Sequence, residues 1–485
     1  MKTHLSHLPH ALGSVAAASA LALLAACATP TPAPPAAPMA DARQLGAGGA
    51  ATEWPDARWW ARYGDTELDQ LIERALQSQP SLQAVQTRLR VAEAAVRASD
   101  AARGPQAQAS AELTYQRFSE NGLVPPQLAG AERSVNNLQI GAGWELDLFG
   151  RQRAALDAAV GQMRAAQADA QAARVLLAAN VASGYFNLAR LVESRAVAAD
   201  ALQQRQQIVS LVRERIGAGL DSQVDLRQAE GLVAQTQVEI EALDESIGRT
   251  RHALAELAGL GPQALDTLAP ALTRVASFAL PAALPADLLG RRADLVAQRW
   301  RVEAAAHDVD VARAQFYPNV NLNAFIGLSA IGLDRFINSG SLVYGAGPAL
   351  KLPLFEGGRL QANLDARRAD VDAAIEGYNG ALQRALREVA DELTGQRSLE
   401  RQQRAQQEAT AAADAAYALA LQRYRAGLGN FLVVLTAQTN VLTQRRAATD
   451  LKARHLASEV ALVRALGGGY DAGAEAPPTR AASVH

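Results

Sequence analysis

The sequence contains one cysteine, few aromatic residues and almost no excess of charge. A single cysteine among 485 residues excludes a disulfide framework and a cysteine-rich metal site. A net charge of -2, from 47 basic and 49 acidic side chains, excludes a nucleic-acid surface built on bulk charge. Outside the first 30 residues, no apolar run reaches the roughly 18 residues of a membrane-spanning helix. A polytopic helical membrane protein is therefore excluded, and we expect no nucleic-acid partner.

Residue sets typical of catalysis and metal binding are also missing. Beyond residue 26 the histidines are isolated, without a second ligand at helical spacing; these are His252, His307, His455 and His485. No phosphate-binding Gly-Lys-Ser/Thr loop occurs, so any energy must come from a partner. We expect no enzyme activity, no metal and no cofactor.

The first residues resemble a lipoprotein signal. Residues 1–26 contain an apolar stretch of signal-peptide length that ends in Leu24-Ala25-Ala26, directly before Cys27. This tetrapeptide resembles the bacterial lipobox, in which the chain is cut before the cysteine and the cysteine receives acyl chains. We predict covalent lipid on Cys27; the alternative is a small buried hydrophobe. Residues 27–55 are predicted to be a lipidated Pro/Ala-rich tether, extended and with no means of burying itself.

Similar segments recur just over 200 residues apart. Residues 145–151 (ELDLFGR) are similar to 351–359 (KLPLFEGGR), and the Ala-Gly-Leu triplet at 218–220 recurs at 426–428. In each half the pattern predicts a leading helical segment, two strands, one very long helix, a glycine turn and a second long helix. We predict two internal repeats, residues 56–270 and 271–469, followed by a disordered tail at 470–485.

Four stretches alternate between apolar and polar residues with the period of a strand. They cover about 106–118, 135–148, 319–330 and 341–353. Each has about ten residues, the length of a tilted strand across an outer membrane. The residues predicted to face an aqueous lumen are Gln106, Gln108, Glu112, Gln139, Glu145, Asn321, Asn323 and Lys351. One such strand alone would also fit a half-buried sheet in a soluble domain. Four such strands, arranged as two similar pairs, favour a membrane barrel.

The predicted long helices cover about 150–216, 222–258, 357–425 and 431–467. The first contains no proline and would be about 100 Å long, too long for a compact domain. Four strands cannot close a barrel, so other copies of the chain must supply the rest. Three copies give twelve strands and room for a lumen. An antiparallel coiled coil remains the alternative for the helices taken alone.

The sequence resembles the TolC-like outer membrane efflux factors, specifically the lipoprotein branch typified by OprM and NodT. Residues 60–65 (WARYGD) resemble the start of the family's sequences. Residues 288–295 (LLGRRADL), followed by 314–319 (AQFYPN), resemble its signature RRPDL and A.FYP, with Ala293 where proline is usual. Gly150 and Gly358, each followed by arginine, match its strand-to-helix junctions.

The resemblance implies the fold class and the partners. It implies an α+β membrane protein, a homotrimer with a twelve-stranded outer-membrane β-barrel continuous with a periplasmic α-barrel. It also implies docking to a periplasmic adaptor (membrane fusion) protein and an inner-membrane pump of resistance-nodulation or major-facilitator type. The expected function is a passive duct for drugs or toxic small molecules. A duct for type I protein secretion and a periplasmic coiled-coil structural lipoprotein remain the alternatives.

The resemblance further assigns two periplasmic turns as the gate. The first contains Arg215, Gly219, Asp221 and Asp225, and the second contains Arg423, Tyr424, Arg425 and Gly427. In a ring of three chains like charges repel, while Arg–Asp links between helices hold the mouth shut. Some relatives carry aspartate at the position of Gly429, so we hypothesise that Asp221 supplies the gate charge. The alternative is that Asp221 only caps the following helix.

Overall fold

The computed structural model describes residues 31–32, 37–45, 54–275 and 288–470. Residues 1–26, Cys27 and the predicted tail beyond Tyr470 lie outside these ranges. In chain order the elements are α1 (Thr66–Ser78), α2 (Pro80–Ala101), β1 (Gln106–Arg117), β2 (Glu132–Leu146), α3 (Arg151–Gly217), α4 (Gln223–Leu257), α5 (Leu288–Arg291), α6 (Ala293–Ala314), β3 (Asn319–Ile331), β4 (Leu342–Lys351), α7 (Arg359–Arg425) and α8 (Phe431–Ala465).

The four longest helices form two matched pairs. In each half a helix of 67 residues, α3 or α7, is followed by one of 35 residues, α4 or α8. At 1.5 Å per residue each 67-residue helix is about 100 Å long. Gly150 and Gly358 precede the long helices with φ of 74° and 83°, a conformation that glycine adopts without steric cost. Each long helix therefore starts a few residues after a strand, and the sheet continues directly into the helices.

The strands form one antiparallel sheet in the order β1-β2-β3-β4. Its register places apolar residues opposite one another on one face, for example Ile140 opposite Ile326 and then Tyr344. Ile140 is 57% exposed and Tyr344 76%. Most residues of the other face are polar or glycine, for example Gln108, Asn137 and Gly345. The strands β1 and β4 each lack a partner on their outer side among the described strands.

A large hydrophobic cluster, here called the central core, joins a 3-10 turn at Trp59–Tyr63 to α1, α3, α4 and α8. The rings of Tyr63 and Phe186 meet edge to face with centroids 5.0 Å apart. Asp65 caps α1 and also accepts a hydrogen bond from the Tyr185 hydroxyl at 2.8 Å. Within the described residues, α3 alone has a window apolar enough to cross a membrane, and 56% of that window is buried inside the protein, as in a core helix.

Where it is described, the proline-rich segment contacts the fold, contrary to the expectation that it has no means of burying itself. Its described residues, 31–32 and 37–45, are here called the strap. Ala37 N–H donates to Asp372 at 3.1 Å, and Ala40 N–H donates to Asn379 at 2.8 Å. The Ala42 side chain is 1% exposed. A proline-rich segment cannot satisfy its backbone hydrogen bonds by forming a helix. Burial of the strap is possible because polar side chains of α7 accept hydrogen bonds from its backbone N–H groups.

The strap also has a defined direction along α7. Its residue Thr31 binds two side chains in the first turns of that helix, accepting from Arg368 at 2.8 Å and donating to Gln361 at 3.2 Å. The strap therefore runs alongside α7 in the same direction, with Thr31 at the end nearest the sheet.

Three consecutive glycines after α8 join separate parts of the chain. Gly467, Gly468 and Gly469 all have positive φ, at 100°, 58° and 80°. A Cβ on Gly467 would lie 1.7 Å from the Arg291 carbonyl oxygen, and one on Gly469 would lie 2.2 Å from that of Asp56. Both the backbone conformation and the close contacts therefore require glycine.

Candidate functional site: the paired helical turns

The first turn connects α3 to α4. Leu220 N–H donates to the Arg215 carbonyl at 2.9 Å, and Gly219 takes the left-handed conformation with φ 72° that this helix ending requires. Ser222 then caps α4: its hydroxyl accepts from the Asp225 N–H at 3.3 Å, and the Asp225 carboxylate accepts from the Ser222 N–H at 2.9 Å. Donation by Ser222 holds the pKa of Asp225 below its ordinary value.

The interpretation of Asp221 as the helix cap is therefore wrong. The cap is Ser222, one residue later, in a reciprocal capping box with Asp225. The Ser-x-x-Asp pattern of this box was visible in the sequence. Asp221 is left free for another contact.

The second turn connects α7 to α8 with the same backbone geometry. Leu428 N–H donates to the Arg423 carbonyl at 2.9 Å, and Gly427 has φ 73°. Asn430 caps α8 by accepting from the Val433 N–H at 3.2 Å. The two turns are thus equivalent in backbone, and their side chains distinguish them.

Three side chains join the two turns, and we call them the tip clasp: Arg215, Asp221 and Tyr424. Arg215 binds both carboxylate oxygens of Asp221, at 3.0 and 3.3 Å, and donates to the Tyr424 carbonyl at 2.9 Å. Its guanidinium lies over the Tyr424 ring, 4.3 Å from the centroid. The Tyr424 hydroxyl donates to Asp221. Each member therefore contacts the other two, across 209 residues of sequence.

The tip clasp is largely removed from water. The side chains of Arg215 and Asp221 are 11% and 7% exposed, and Tyr424 is 0% exposed. Tyr424 belongs to a hydrophobic cluster that includes Val212, and its ring lies 6.3 Å from that of Phe431. The hydrogen bond to Asp221 raises the pKa of Arg215, while burial and then Asp221 raise the pKa of Tyr424. Both groups thus keep their protons over the whole physiological range.

The other predicted turn residues do not join the clasp. Arg423 and Arg425 are exposed, and Asp225 is committed to the capping box. Gly429 has room for a side chain, since a Cβ there would lie no closer than 3.5 Å to its neighbours. The sequence analysis assigned no individual roles to Ser222 and Phe431. The Ser-x-x-Asp capping pattern could have identified the role of Ser222.

The eight residues predicted to face a lumen share one face of the sheet. The register places Gln106 opposite Gly143, which pairs with Asn323 on its other side. The same parity holds for the others: Gln108, Glu112, Gln139, Glu145, Asn321 and Lys351. Glu145 also accepts from Arg151 at 2.6 Å, which ties the end of β2 to the start of α3. That this face lines a lumen stays a prediction.

Comparison with known proteins identifies the family. The family model described as "Outer membrane efflux protein" matches residues 71–260 and 284–468, more than half of the chain. The chain belongs to the outer membrane efflux protein family. This membership confirms the resemblance to TolC-like efflux factors and places the protein in the outer membrane, with its helices extending into the periplasm.

Named relatives and a solved structure agree with this membership. The multidrug resistance outer membrane protein MdtP of Shigella flexneri is 34% identical over 436 residues, which cover 87% of this chain and 88% of the relative. The fusaric acid resistance protein FusA of Burkholderia cepacia is 38% identical over 325 residues, 66% of this chain and 61% of that protein. The outer membrane protein VceC of Vibrio cholerae has a TM-score of 0.80 at 37% identity, covering 86% of this chain and 100% of that one.

Family membership determines what kind of functional site this outer membrane efflux protein has. The family and the fold are those of channels, so the functional parts are a wall and a gate. The tip clasp is the only place among the described residues where side chains join the α3–α4 turn to the α7–α8 turn by hydrogen bonds. It is therefore the candidate for the gate.

Proposed function

We propose that three copies of this chain form the passive outer-membrane duct of a tripartite efflux system for drugs or toxic small molecules. The observation that carries the proposal is the open four-stranded sheet. Among the described strands, β1 and β4 each have an unpaired edge, and unpaired edges in a hydrocarbon layer leave backbone groups without hydrogen bonds. Pairing β4 of one copy with β1 of the next removes every edge, and three copies of four strands close a ring of twelve.

The two faces of the sheet fit this assembly. The apolar face, with Ile140 and Tyr344 exposed, suits contact with lipid, and the amide-rich face suits an aqueous lumen. The long helices continue from the strands and, with two neighbours each, close into a tube about 100 Å long. The duct would therefore cross the membrane and most of the periplasm without a break.

The tip clasp is proposed to keep the periplasmic mouth closed. It holds the α3–α4 turn against the α7–α8 turn through a buried ion pair and a tyrosine hydrogen bond. Opening the mouth requires these helix pairs to separate, which breaks the clasp. Asp221, the hypothesised gate charge, would then act through its ion pair with Arg215 within each copy, rather than as part of an exposed ring of carboxylates.

Acylation of Cys27 is proposed to anchor the duct in the inner leaflet of the outer membrane. The strap supports this placement, because Thr31 lies beside the first turns of α7, at the end nearest the sheet. The four residues from Cys27 to Thr31 span at most about 14 Å, a reach that suits an anchor at that end. The lipid is thus an anchor beside the barrel and not a spanning element.

The exposed ends of the turns are proposed to dock a periplasmic adaptor protein. Apolar side chains cluster there: Leu220 is 62% exposed, Val224 64%, Leu428 71% and Leu432 62%. Clustered exposed apolar residues mark interaction surfaces. The adaptor would connect the duct to an inner-membrane pump of resistance-nodulation or major-facilitator type, which supplies the energy.

Export of small molecules is favoured over type I protein secretion by the names of the relatives, which are resistance proteins. A periplasmic coiled-coil lipoprotein does not account for the four-stranded sheet with an exposed apolar face. The duct is therefore the function that the geometry supports best.

Reconstitution tests the proposal. The full chain, extracted from outer membranes in detergent, should sediment as a trimer and form ion-conducting channels in planar bilayers. A host strain without its own outer membrane efflux proteins should regain drug resistance when the chain is expressed with a matching adaptor and pump. A monomer that conducts no ions would contradict the duct, and unchanged drug sensitivity would contradict the small-molecule role.

A further inference from the structure

The two helical turns differ in charge although their backbones are equivalent. The alignment of residues 218–220 with 426–428 extends to 207–241, around the first turn, and to 415–449, around the second. The first stretch contains three basic and six acidic residues, whereas the second contains four basic residues and no acidic one. The turns therefore present surfaces of opposite charge to a partner.

The second turn repeats only one half of the buried ion pair in the first. In the same alignment Arg423 corresponds to Arg215, and Gly429 corresponds to Asp221, the carboxylate that Arg215 binds at 3.0 Å. The glycines of the two turns have φ of 72° and 73°, so the backbone that places the two groups is the same. Arg423 thus lacks the carboxylate that its counterpart has.

The place of the missing carboxylate is open. A Cβ on Gly429 would have as its nearest neighbours the Tyr424 nitrogen at 3.5 Å and two atoms of Arg423 at 3.6 Å. Arg423 and Arg425 are both exposed, and neither forms an ion pair within the described part of the chain. The nearest acidic residue earlier in the sequence, Asp414, is already bound by another arginine at 2.9 Å. Two adjacent guanidinium groups without a carboxylate favour an acidic group from outside the chain.

The surroundings of these arginines suit a protein partner. Leu428, Leu432 and Val433 are 71%, 62% and 54% exposed. On the same face of α8, the hydroxyls of Thr436 and Thr439 donate to carbonyls of their own helix at 2.9 Å, so burial would leave neither unpaired. Exposed apolar residues beside two free cations match a partner that carries apolar residues beside a carboxylate.

The first turn of the next copy is the other source of carboxylates in the proposed ring. Four of its six acidic residues are committed within their own copy, to the clasp, to the capping box or to arginines: Asp221, Asp225, Glu230 and Glu239. Of the remaining two, Glu214 is the nearer to the turn. The next copy therefore has one candidate for this place, and it can be removed by substitution.

We propose that the second turn, rather than the first, selects the periplasmic adaptor, by binding a carboxylate of the adaptor's tip between Arg423 and the open place at Gly429. The inference rests on the proposed function, because only a duct that works with an adaptor needs this contact. The matching adaptor has an acidic residue at its tip, next to apolar ones. Three copies offer three such places around the mouth, alternating with the acidic first turns.

A synthetic helical hairpin with glutamate at its tip is the probe, and an otherwise identical hairpin with glutamine there is its control. Binding of each to the full protein in lipid nanodiscs is measured by fluorescence anisotropy. The wild type should bind the glutamate hairpin about fivefold more tightly than the glutamine hairpin, with a smaller difference at high salt. Equal affinities, or no binding of either hairpin, would overturn the proposal.

Substitutions at the turn separate charge from space. Gly429→Asp supplies the missing carboxylate within the chain and should abolish the preference for glutamate. Gly429→Asn adds a side chain of the same size without the charge and should keep the preference, so its loss in both variants would overturn the role of charge. Arg423→Gln should also abolish the preference, and a preference that survives in this variant would overturn the role of Arg423.

Glu214→Gln tests the next copy as the alternative source of the carboxylate. The substitution should leave the preference for glutamate unchanged. A preference that appears only in this variant would assign the place beside Arg423 to the next copy and overturn the proposal. Conducting trimers without any preference would contradict this inference alone, whereas a glutamate preference in a protein that conducts no ions would contradict the duct alone.

Discussion

The tip clasp and the central core both contain a tyrosine whose hydroxyl donates to an aspartate. Tyr424 bonds to Asp221 at the tip, and Tyr185 bonds to Asp65 at 2.8 Å in the core. Their surroundings differ: of the described residues, 28 are buried in the central core and eight in the hydrophobic cluster that contains Tyr424. The same bond is therefore one contact among many in the core, and a principal link between elements at the tip.

This difference separates a structural bond from a switchable one. Breaking the core bond leaves α1, α3, α4 and α8 packed against one another through apolar side chains. At the tip the turns themselves are exposed, and the clasp joins elements that otherwise meet through a small cluster. Regions that move are drawn from the less stable parts of a structure. Substitutions at the two sites should therefore have different effects.

The largest effect is expected from Asp221→Ala. The change removes one partner of a buried ion pair and leaves Arg215 unpaired, which weakens the closed tip by about 3 kcal/mol. Conductance of reconstituted protein should rise several-fold, and its cation selectivity should change, while the melting temperature of the central core stays close to that of the wild type.

Glu230→Ala is the matched control for that experiment. Glu230 binds Arg213 near the same turn at 2.8 Å, but the two side chains are 30% and 61% exposed. Exposed pairs contribute little, so conductance should not change. If Asp221→Ala and Glu230→Ala gave the same conductance, the clasp would not be the gate.

A smaller effect, on stability alone, is expected from Tyr185→Phe. The change removes the hydroxyl that donates to Asp65 but keeps the buried ring, so the free energy of unfolding should fall by about 1 to 2 kcal/mol. Conductance should remain at the wild-type level. Tyr424→Phe, the equivalent change at the tip, should raise conductance with little loss of stability, and the reverse pattern would erase the distinction between the sites.

The pH response should also differ between the two sites. In the core region, His455 contacts Glu459 at 3.1 Å, and this hydrogen bond raises the pKa of His455. Since the folded state holds the proton more tightly, its stabilisation is complete below the unfolded pKa of about 6.5 and is lost as the pH rises through the folded pKa. The groups that act on His455 are Glu459 and Glu400.

Melting temperatures between pH 5.5 and 8.5 test this response. The wild type should lose stability across that interval, and His455→Gln should flatten the loss. Conductance should be steady over the same interval, because Arg215 and Tyr424 both have raised pKa values and keep their protons. An equal slope in the wild type and His455→Gln would assign the pH dependence to other groups.

The smallest effect on stability is expected from Gly429→Asp. The nearest atom to an added Cβ would lie at 3.5 Å, an ordinary contact, so the change in the free energy of unfolding should be below about 0.5 kcal/mol. Three added carboxylates at the mouth should increase cation selectivity in bilayer recordings. Unchanged selectivity would mean that residue 429 does not face the ion path.

Periodicity predicted the secondary structure because it is a local property. Alternation over stretches such as 319–330 predicted strands, and the described residues contain four, in one sheet with the polar residues on one face. Glycine at 219 and 427 predicted helix reversals for a similar reason, since φ at those positions is set within a few residues. The trimer, the repeats and the lipid on Cys27 stay predictions.

Contacts between distant residues were not predictable from pattern. Nothing in the sequence pairs Arg215 with the carbonyl of Tyr424, 209 residues later. The strap was mispredicted because proline and alanine give no periodicity, and its hydrogen bonds depend on Asp372 and Asn379 of a distant helix. The alternative of a cap at Asp221 failed for a different reason, because the Ser222–Asp225 pattern that places the cap one residue later is local and visible in the sequence.

The glycine run at 467–469 has a consequence for shortened chains. These residues lie directly against the backbone at Asp56 and Arg291, which come much earlier in the sequence. A chain that stops before residue 467 therefore lacks this junction, and the segments around Asp56 and Arg291 lose a neighbour that only glycine can provide.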